Sequence, residues 1–447
     1  MNAINKKFKD ISLNPPLFLT IGFGILILVG ALLLNMGVFT KSGESVGFIN
    51  ALLTAGSASC VTGLVVVNTG EFWNFWGQLV IIILIQIGGL GIMTLATLFP
   101  MIMRKRIGLT SRQIIREQLN VDTFSGMVKL LKYVLAFTFT VEFIGAIIMA
   151  TEFIPAYGLK DGIWFSIFHS ISAFCNAGFD LTGDSVVPFQ NSFPINIAIM
   201  LLITIGGLGF QVSSELINKR SIKKLSVHGK IVLIMSGLLI VSGALIFFLI
   251  EHNNPYTLGG QGAYPKVIQS FFQSVITRTA GFYSVDITKI RDTSAVLMII
   301  LMFIGGSPGS TAGGLKTTTF GILFASTIAT IRGQEHVVIF KKRISNTIIQ
   351  KALALVMISI FLVIGISFVL TITEVHNFLD ILFEVTSAYA TVGLTRGITP
   401  GLTDVGKLII TLTMYIGRIG PLTMAFAFGK AAKSSKLDFP DANISVG

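Results

Sequence analysis

Charge is scarce in this chain of 447 residues, since Asp, Glu, Lys and Arg together make up only 12% of it. Hydrophobic residues make up 52%, and the mean hydropathy is +0.81. This balance excludes a soluble globular protein, because such a protein needs far more charged surface. The sequence therefore predicts a protein that crosses a lipid bilayer several times.

Cysteine and clustered histidine are also lacking. The two cysteines are Cys60 and Cys175, and a disulfide between them is one alternative, although both are expected beside a central axis within the protein. The five histidines lie far apart in sequence and show no ligand spacing. No zinc site is therefore indicated.

The net charge of +12 could indicate nucleic-acid binding, but the distribution of charge argues against such a partner. Basic residues concentrate in segments 1–16, 104–132, 218–230, 332–351 and 430–447, whereas the intervening segments 35–72, 151–192, 251–292 and 373–407 are richer in acidic residues. By the positive-inside rule, both termini are expected in the cytosol and the chain in the cytoplasmic (inner) membrane.

One short motif occurs four times. It is a run of mainly small or hydroxyl residues with glycine in fourth place, and each copy follows an apolar segment too short to cross a bilayer. The four strips are Cys60-Val61-Thr62-Gly63-Leu64, Cys175-Asn176-Ala177-Gly178-Phe179, Arg278-Thr279-Ala280-Gly281-Phe282 and Ala390-Thr391-Val392-Gly393-Leu394. Their spacing of about a hundred residues is too long for a solenoid, so each strip belongs to a unit of its own.

A second motif, the glycine signature, follows each strip glycine by 24 to 28 residues. Its copies are Ile87-Gly88-Gly89-Leu90-Gly91, Ile205-Gly206-Gly207-Leu208-Gly209, Ile304-Gly305-Gly306-Ser307-Pro308-Gly309 and Ile416-Gly417-Arg418-Ile419-Gly420. The recurrence of both motifs indicates four copies of one structural unit.

Each unit is predicted to contain a span, a half-crossing pore helix and a second span. The expected spans are 17–34 and 73–101, 131–150 and 194–217, 230–250 and 293–325, and 350–372 and 405–428, with pore helices at 48–59, 161–174, 266–277 and 378–389. Irregular backbone after a half-crossing helix is tolerated in a membrane only where it is buried in protein or lines water.

The predicted fold is therefore an all-α membrane protein of four repeated span–re-entrant pore helix–span units around a central pseudo-four-fold pore. The expected unit boundaries are 1–116, 117–226, 227–340 and 341–447, the last including a C-terminal tail.

The strips have the chemistry of an ion filter. A dehydrated monovalent cation needs oxygens in place of its lost water, and backbone carbonyls supply them when a short extended strip faces a pore. Glycine reaches backbone conformations that strain other residues. The predicted filter residues are Cys60, Val61, Thr62, Gly63, Asn176, Ala177, Gly178, Thr279, Ala280, Gly281, Thr391, Val392 and Gly393.

The strips, the unit plan and a glycine-rich run in unit three together resemble the Ktr/Trk/HKT superfamily of potassium translocation proteins, over essentially the whole chain. The resemblance implies uptake of potassium, bound by filter carbonyls, as the pore-forming subunit of a Ktr-type system that sodium could stimulate. Serine replaces the first filter glycine in some sodium-preferring plant members, so Gly63 favours potassium. Because the strips depart from TVGYG, a sodium-permeable channel of the same superfamily is the alternative.

The glycine-rich run cannot stay a regular helix, because Pro308 removes a donor and the glycines weaken the rest. It nearly matches a nucleotide-binding loop, but Leu315 separates Gly314 from Lys316 and no strand precedes it. The resemblance instead makes residues 305–316 an intramembrane gating loop. The predicted gate residues are Gly305, Gly306, Ser307, Pro308, Gly309, Ser310, Thr311, Ala312, Gly313, Gly314, Lys316 and Arg418.

Arg418 lies inside the last predicted span, where a charge is costly unless it faces water or a partner. It pairs with Glu142 or with carbonyls, or it opposes cation passage beneath the filter, as the resemblance implies. Acidic residues are expected near the external mouth, individually as solvated loop residues, where they raise the local cation concentration. They are Asp180, Asp184, Glu251, Asp286 and Glu374.

Control of the pore is expected from outside the chain, because predicted spans, short loops and tails account for all of its residues. The basic loops Arg104 to Arg116, Lys219 to Lys230 and Lys341 to Arg343 suit an acidic or nucleotide-bearing protein, or serve only orientation and contact with membrane lipid. The resemblance implies a homodimer on a ring of soluble KtrA-like subunits that bind ATP or ADP, with no cofactor in this chain.

Two other classes of function fit less well. An intramembrane enzyme would use Ser307 or Ser310 as its nucleophile and His169 as its base, but His169 lies in a different unit. A carrier for an organic solute would need inverted repeats, whereas these units run in the same direction. The chain is therefore not expected to be an enzyme.

Overall fold

The computed structural model describes residues 15–91, 127–421 and 423–424. Regular structure in these residues is helical apart from one short hairpin, which confirms the helical fold. Four of the described helices are long and apolar enough to cross a membrane, or five if a bent pair counts as one span. The basic run Arg104 to Arg116, the boundary between the first two units and the tail beyond residue 424 lie outside the described residues.

Unit one contains α1 (Pro15–Leu34), α2 (Phe48–Cys60), the one-turn α3 (Thr69–Phe72) and α4 (Phe75–Leu90). The pore helix α2 packs between α1 and α4, and its residues are fully buried toward the C-terminal end. Its burial explains how a helix too short to span a bilayer is held at membrane depth.

Unit two begins with α5 (Met127–Phe174), which is two helices joined at Gly158, a residue with φ 81° and ψ 170°. The two parts cover the predicted span and the predicted pore helix. The second span, however, is broken into α6 (Phe193–Gly207) and α7 (Phe210–Lys219), which are bent by 99°. The segment predicted as a span over 194–217 is therefore not one straight helix.

Unit three contains α8 (Val227–Glu251), the pore helix α9 (Ala263–Ile276), α10 (Asp292–Phe303) and α11 (Thr317–Ile331). Residues 304–316 are non-helical and separate α10 from α11. Proline and glycine in this run account for the break, as the sequence predicts.

A two-stranded hairpin follows α11. Its strands are β1 (Val338–Ile339) and β2 (Lys342–Arg343), which pair antiparallel with Val338 opposite Arg343. The ammonium of Lys230, near the start of α8, lies 5.6 Å from the centre of the Phe340 ring at the hairpin turn. A cation–π contact at this distance attaches the hairpin to α8.

Unit four contains α12 (Asn346–Thr373), the pore helix α13 (Phe378–Ala390) and α14 (Asp404–Ile419). α13 packs against α12 and α14 of its own unit and against α10 of unit three. The predicted span over 405–428 is interrupted at Gly420.

The last glycine of the signature ends a helix, or begins the segment after a break, in units one, two and four. Its backbone angles are φ 86° and ψ 140° at Gly91, φ 91° and ψ 137° at Gly209, and φ 90° and ψ 133° at Gly420. This region of backbone space favours glycine. The signature therefore marks the end of a helix, and residues 92–101 of the predicted span 73–101 lie outside the described residues.

The first glycine of the signature holds the second span against the pore helix. A Cβ atom on this glycine would overlap the carbonyl of the residue just before the strip. The pairs are Gly88 with Ser59, Gly206 with Phe174 and Gly417 with Tyr389. In unit three, Gly305 lies instead against the carbonyl of Gly313. In units one, two and four, the signature and the start of the strip thus form the two sides of one packing contact. In unit three this contact is replaced by one within the loop.

We expect Gly417→Ala to lower the apparent unfolding midpoint of the detergent-purified protein, because overpacking of this kind costs about 1–3 kcal/mol. Gly365→Ala in α12 is the matched control, since a Cβ there has no neighbour within 4 Å. The control should keep or raise the midpoint, because alanine favours a helix over glycine by about 1 kcal/mol. Equal midpoints for both variants would contradict a close contact at Gly417.

Candidate ion-conduction site

Every strip begins with the same turn of the backbone. The second residue of each strip is left-handed, with φ 60° at Val61, 61° at Asn176, 65° at Thr279 and 52° at Thr391. Residues with a side chain, and β-branched ones above all, rarely adopt this conformation, which costs on the order of 1–3 kcal/mol. The turn therefore persists because the surrounding protein holds it.

Backbone bonds secure the turn in three strips. The third residue of the strip donates its N–H to the carbonyl five residues earlier: Thr62 to Ser57 at 2.8 Å, Ala177 to Ser172 at 2.7 Å and Val392 to Ser387 at 2.8 Å. In strip three, Ala280 donates instead to the carbonyl of Ile276, four residues earlier, at 3.0 Å. Strip three is therefore the one that departs from the common geometry.

The strip glycines lie side by side in cyclic order. A Cβ on Gly178 would lie 2.7 Å from the carbonyl oxygen of Ala280, and one on Gly281 would lie 2.6 Å from that of Val392. The same contact joins Gly63 to the Ala177 carbonyl of strip two and Gly393 to the Thr62 carbonyl of strip one. Each third-place carbonyl thus lies against the glycine of a neighbouring strip, and the order closes into a ring.

Three strip residues also carry buried hydroxyls. The side chains of Thr62, Thr279 and Thr391 are fully buried, and their Oγ1 atoms have no hydrogen-bond partner among the described residues. Oxygen atoms, backbone carbonyls above all, are the ligands that a dehydrated monovalent cation takes. The residues present therefore fit potassium as the cargo of this site.

The non-helical run 304–316 folds back on itself in unit three. The N–H of Gly306 donates to the carbonyl of Gly313 at 3.2 Å, and that of Thr317 donates to the carbonyl of Gly306 at 3.0 Å. Lys316 Nζ donates to the carbonyls of Ala312 at 2.9 Å and Gly313 at 3.4 Å. Residues 304–316 therefore form a compact segment with its own hydrogen bonds.

The broken span of unit two receives this loop. The N–H of Ser307 donates to the carbonyl of Gly207 at 3.0 Å, and that of Thr311 donates to the carbonyl of Gly206 at 3.3 Å. In return, the N–H of Phe210 donates to the carbonyl of Gly309 at 2.9 Å. The break between α6 and α7 leaves helix-end groups without helical partners, and the loop supplies those partners.

Arg418 joins the loop to unit one. Its Nη1 donates to the carbonyl of Thr311, and its Nη2 donates to the carbonyls of Gly88 and, at 3.4 Å, Gly89. The described residues show no ion pair between Arg418 and Glu142, whose carboxylate accepts a hydrogen bond from Gln86 at 3.1 Å. Of the two alternatives for pairing, the carbonyls are the observed partners and Glu142 is not.

Two less favoured alternatives from the sequence find no support in the structure. Cys60 and Cys175 are buried free thiols, so the alternative of a disulfide is wrong. Ser307 Oγ contacts Thr317 Oγ1 at 3.0 Å, and Ser310 Oγ donates to the carbonyl of Ser307 at 2.7 Å. Neither serine pairs with His169, so the geometry of a nucleophile and its base is absent among these described residues.

Two acidic residues expected at the external mouth are buried. Glu251 accepts hydrogen bonds from the N–H of Arg291 at 2.9 Å and from the hydroxyl of Ser294, and Glu374 accepts from the N–H and hydroxyl of Thr403. Arg291 and Thr403 are the N-cap residues of α10 and α14. These carboxylates therefore brace the start of the second span; they are not solvated loop residues.

Sequence reasoning did not find the structural role of three polar residues in the pore helices. His169, Gln273 and Glu384 stand eight or nine residues before the strip glycine of their unit and are buried. Each contacts the segment after the strip. The contacts are Leu181 N–H to His169 Nε2 at 3.4 Å, Gln273 Nε2 to Ser284 Oγ at 3.3 Å, and Thr395 Oγ1 to Glu384 at 2.7 Å. A polar residue recurring at this place in an apolar helix was the available signal.

The fold and this ring of strips define a class of protein, namely membrane proteins that transport cations. The chain belongs to the TrkH family of cation transport proteins, whose family model matches residues 16–438.

Two relatives match the chain over nearly its full length. One is the Ktr system potassium uptake protein B of Bacillus subtilis, 43% identical over 443 residues and 99% of both chains. The other is the potassium/sodium uptake protein NtpJ of Enterococcus hirae, 42% identical over 451 residues and 100% of both chains. The crystal structure of the potassium transporter TrkH from Vibrio parahaemolyticus has a similar fold, with a TM-score of 0.73 and 18% identity over 92% of this chain and 83% of that one.

Proposed function

We propose that this chain is the pore-forming subunit of a Ktr-type system that takes up potassium across the cytoplasmic membrane. The observation that carries the proposal is the cyclic contact of four glycine-centred strips, whose carbonyls and buried hydroxyls offer oxygens to a dehydrated cation. The names of the two relatives support the choice of potassium.

We further propose the arrangement that the sequence predicts: four units with boundaries at 1–116, 117–226, 227–340 and 341–447, both termini in the cytosol, and the four strips as the filter. A sodium-permeable channel is the second candidate, because one full-length relative is named a potassium/sodium uptake protein. Sodium would then be a co-substrate or a stimulating ion. Glycine at the fourth place of all four strips favours potassium.

The proposal is tested by potassium and sodium uptake with Gly393→Ser. A side chain at Gly393 would overlap the Thr62 carbonyl, and φ 93° strains any residue other than glycine. We expect the apparent affinity for potassium to fall by about ten-fold, which corresponds to about 1.4 kcal/mol, with a smaller change in maximal flux.

Gly260→Ser is the matched control, because a Cβ at this exposed glycine has no neighbour within 4 Å. The control should transport like the wild type. An unchanged preference for potassium over sodium in Gly393→Ser would contradict the filter assignment.

The gate that we propose is the loop of residues 305–316 together with Arg418. The loop is bonded to the broken span of unit two, and Arg418 bonds one loop carbonyl and two carbonyls of unit one. Arg418 acts in two ways: its charge opposes cations, and its hydrogen bonds hold the loop beside the strips.

Deletion of residues 306–314, or Arg418→Gln, should raise the maximal potassium flux several-fold in proteoliposomes, because each removes an obstacle to the ion. Arg418→Lys separates the two roles, since lysine keeps the charge but lacks the planar fork that bonds several carbonyls at once. If the flux of Arg418→Lys is as high as that of Arg418→Gln, the loss of the hydrogen bonds, and not the loss of the charge, explains the higher flux. The gate assignment fails if the deletion and Arg418→Gln both fold and transport no faster than the wild type.

The regulatory partner that we propose is a cytosolic ring of KtrA-like subunits that bind ATP or ADP, docked on a homodimer of this chain. The description of the Bacillus subtilis relative as part of a Ktr system supports a partner subunit. The gating loop leads through α11 to the hairpin, where Lys341, Lys342 and Arg343 are exposed. A protein bound to this hairpin would act on the loop through one helix.

We expect potassium flux to respond to ATP versus ADP only when the ring is present, and the response to weaken when Lys341, Lys342 and Arg343 are replaced by glutamine. Loss of three exposed cations weakens attraction to an acidic surface, most clearly at low salt. Lys160→Gln is the control, because Lys160 is an exposed charge that we place on the opposite side of the membrane from the hairpin. A nucleotide response of this chain alone would count against the docking arrangement.

A further inference from the structure

Asn176 stands in the left-handed second place of strip two, where the other strips carry Val61, Thr279 and Thr391. Its side chain is fully buried. An amide side chain has two N–H donors and an oxygen that accepts, and a buried amide needs partners for them. The partners of Asn176 therefore bear on how strip two is held.

The amide of Asn176 connects three segments. Its Nδ2 donates to the carbonyl of Arg278, the first residue of strip three, at 3.1 Å. Because a carbonyl can only accept, this bond places the amide oxygen on the other side, where Thr311 Oγ1 lies 3.1 Å from it. One side chain thus joins strip two to strip three and to the gating loop.

Thr311 belongs to the loop, and both its backbone N–H and its carbonyl are hydrogen-bonded to neighbouring segments. Its N–H donates to the carbonyl of Gly206, and its carbonyl accepts from Arg418. Its hydroxyl shares one proton between the Asn176 oxygen and the Phe174 carbonyl, each at 3.1 Å. Displacement of the loop would therefore withdraw the hydroxyl from strip two.

Loss of Thr311 would leave the buried oxygen of Asn176 without its partner, which is costly. The amide would then rotate or bind water, and either response changes its bond to the Arg278 carbonyl. Strip three is the strip whose turn departs from the other three. A shift there changes the position of carbonyls in the ring.

We propose that Asn176 couples the position of the gating loop to the geometry of strips two and three, so that cation selectivity differs between the docked and the displaced loop. This inference rests on the proposed function and adds a positioning residue to it. Linkage makes the coupling reciprocal: a cation that prefers one strip geometry also favours one loop position.

The test measures the preference for potassium over sodium in proteoliposome uptake, as the ratio of half-saturating concentrations. Thr311→Val, which removes the hydroxyl, and Asn176→Val, which installs the residue of strip one, should each lower the preference by about five-fold or more, the lower end of typical coupling between sites. Thr311→Ser retains a hydroxyl and should keep the preference. The double Val variant should be no worse than Asn176→Val alone.

Thr330→Val is the matched control, because its hydroxyl bonds the Ser326 carbonyl of its own helix, away from the strips. Yield and size-exclusion elution establish that the variants fold. If Asn176→Val does not fold, the comparison of Thr311→Val with Thr311→Ser decides the question. A change in maximal flux without a change in preference for Thr311→Val would overturn the coupling and leave the gate in place. The coupling would also be overturned if the two substitutions lowered the preference for potassium independently, so that their fold-changes multiplied in the double Val variant. A wild-type chain that transports no potassium would overturn the proposed function and this inference with it.

Discussion

Backbone N–H and carbonyl groups at membrane depth must find partners within the protein, and this chain breaks its backbone there repeatedly. Pore helices end inside the protein at Cys60, Phe174, Ile276 and Ala390, and the second spans of units two and three are interrupted. The freed groups bond to one another. The turn of each strip bonds back to its pore helix, and the loop of unit three bonds to the break in unit two.

Close approach of backbones is the second consequence, and it explains the glycine content. In units one, two and four the first glycine of the signature touches the carbonyl before the strip, and in all four units the strip glycine touches the neighbouring strip. Neither contact leaves room for a Cβ. The two motifs that recur along the chain are therefore required by the same small region, in which pore-helix ends, strips and second spans converge.

Unit three differs from its three counterparts in the local geometry of its motifs. Its signature is extended into a loop, its strip turn bonds to a different carbonyl, and its Gly305 contacts the loop rather than the pore helix. The loop is held by backbone hydrogen bonds and by the side-chain donors of Lys316 and Arg418. Individual bonds of this kind contribute about 0.5–1.5 kcal/mol, or about 1.5–3 kcal/mol for those to a charged group.

Local pattern was sufficient for the unit plan. A short apolar segment followed by glycine predicts a pore helix from nearby residues alone, and the predicted 48–59 and 378–389 match Phe48–Cys60 and Phe378–Ala390. The breaks at Gly91, Gly209 and Gly420 were signalled by the signature but hidden by the apolar residues around them, since hydropathy does not distinguish a straight helix from a broken one. The partners of the freed groups could not be predicted. Asn176 and Thr311 are 135 residues apart and Arg418 and Gly88 are 330 apart, so only the closure of four units decides which groups come within bonding distance. The sequence by itself determined where the backbone must be irregular, and the tertiary structure decided what satisfies it there.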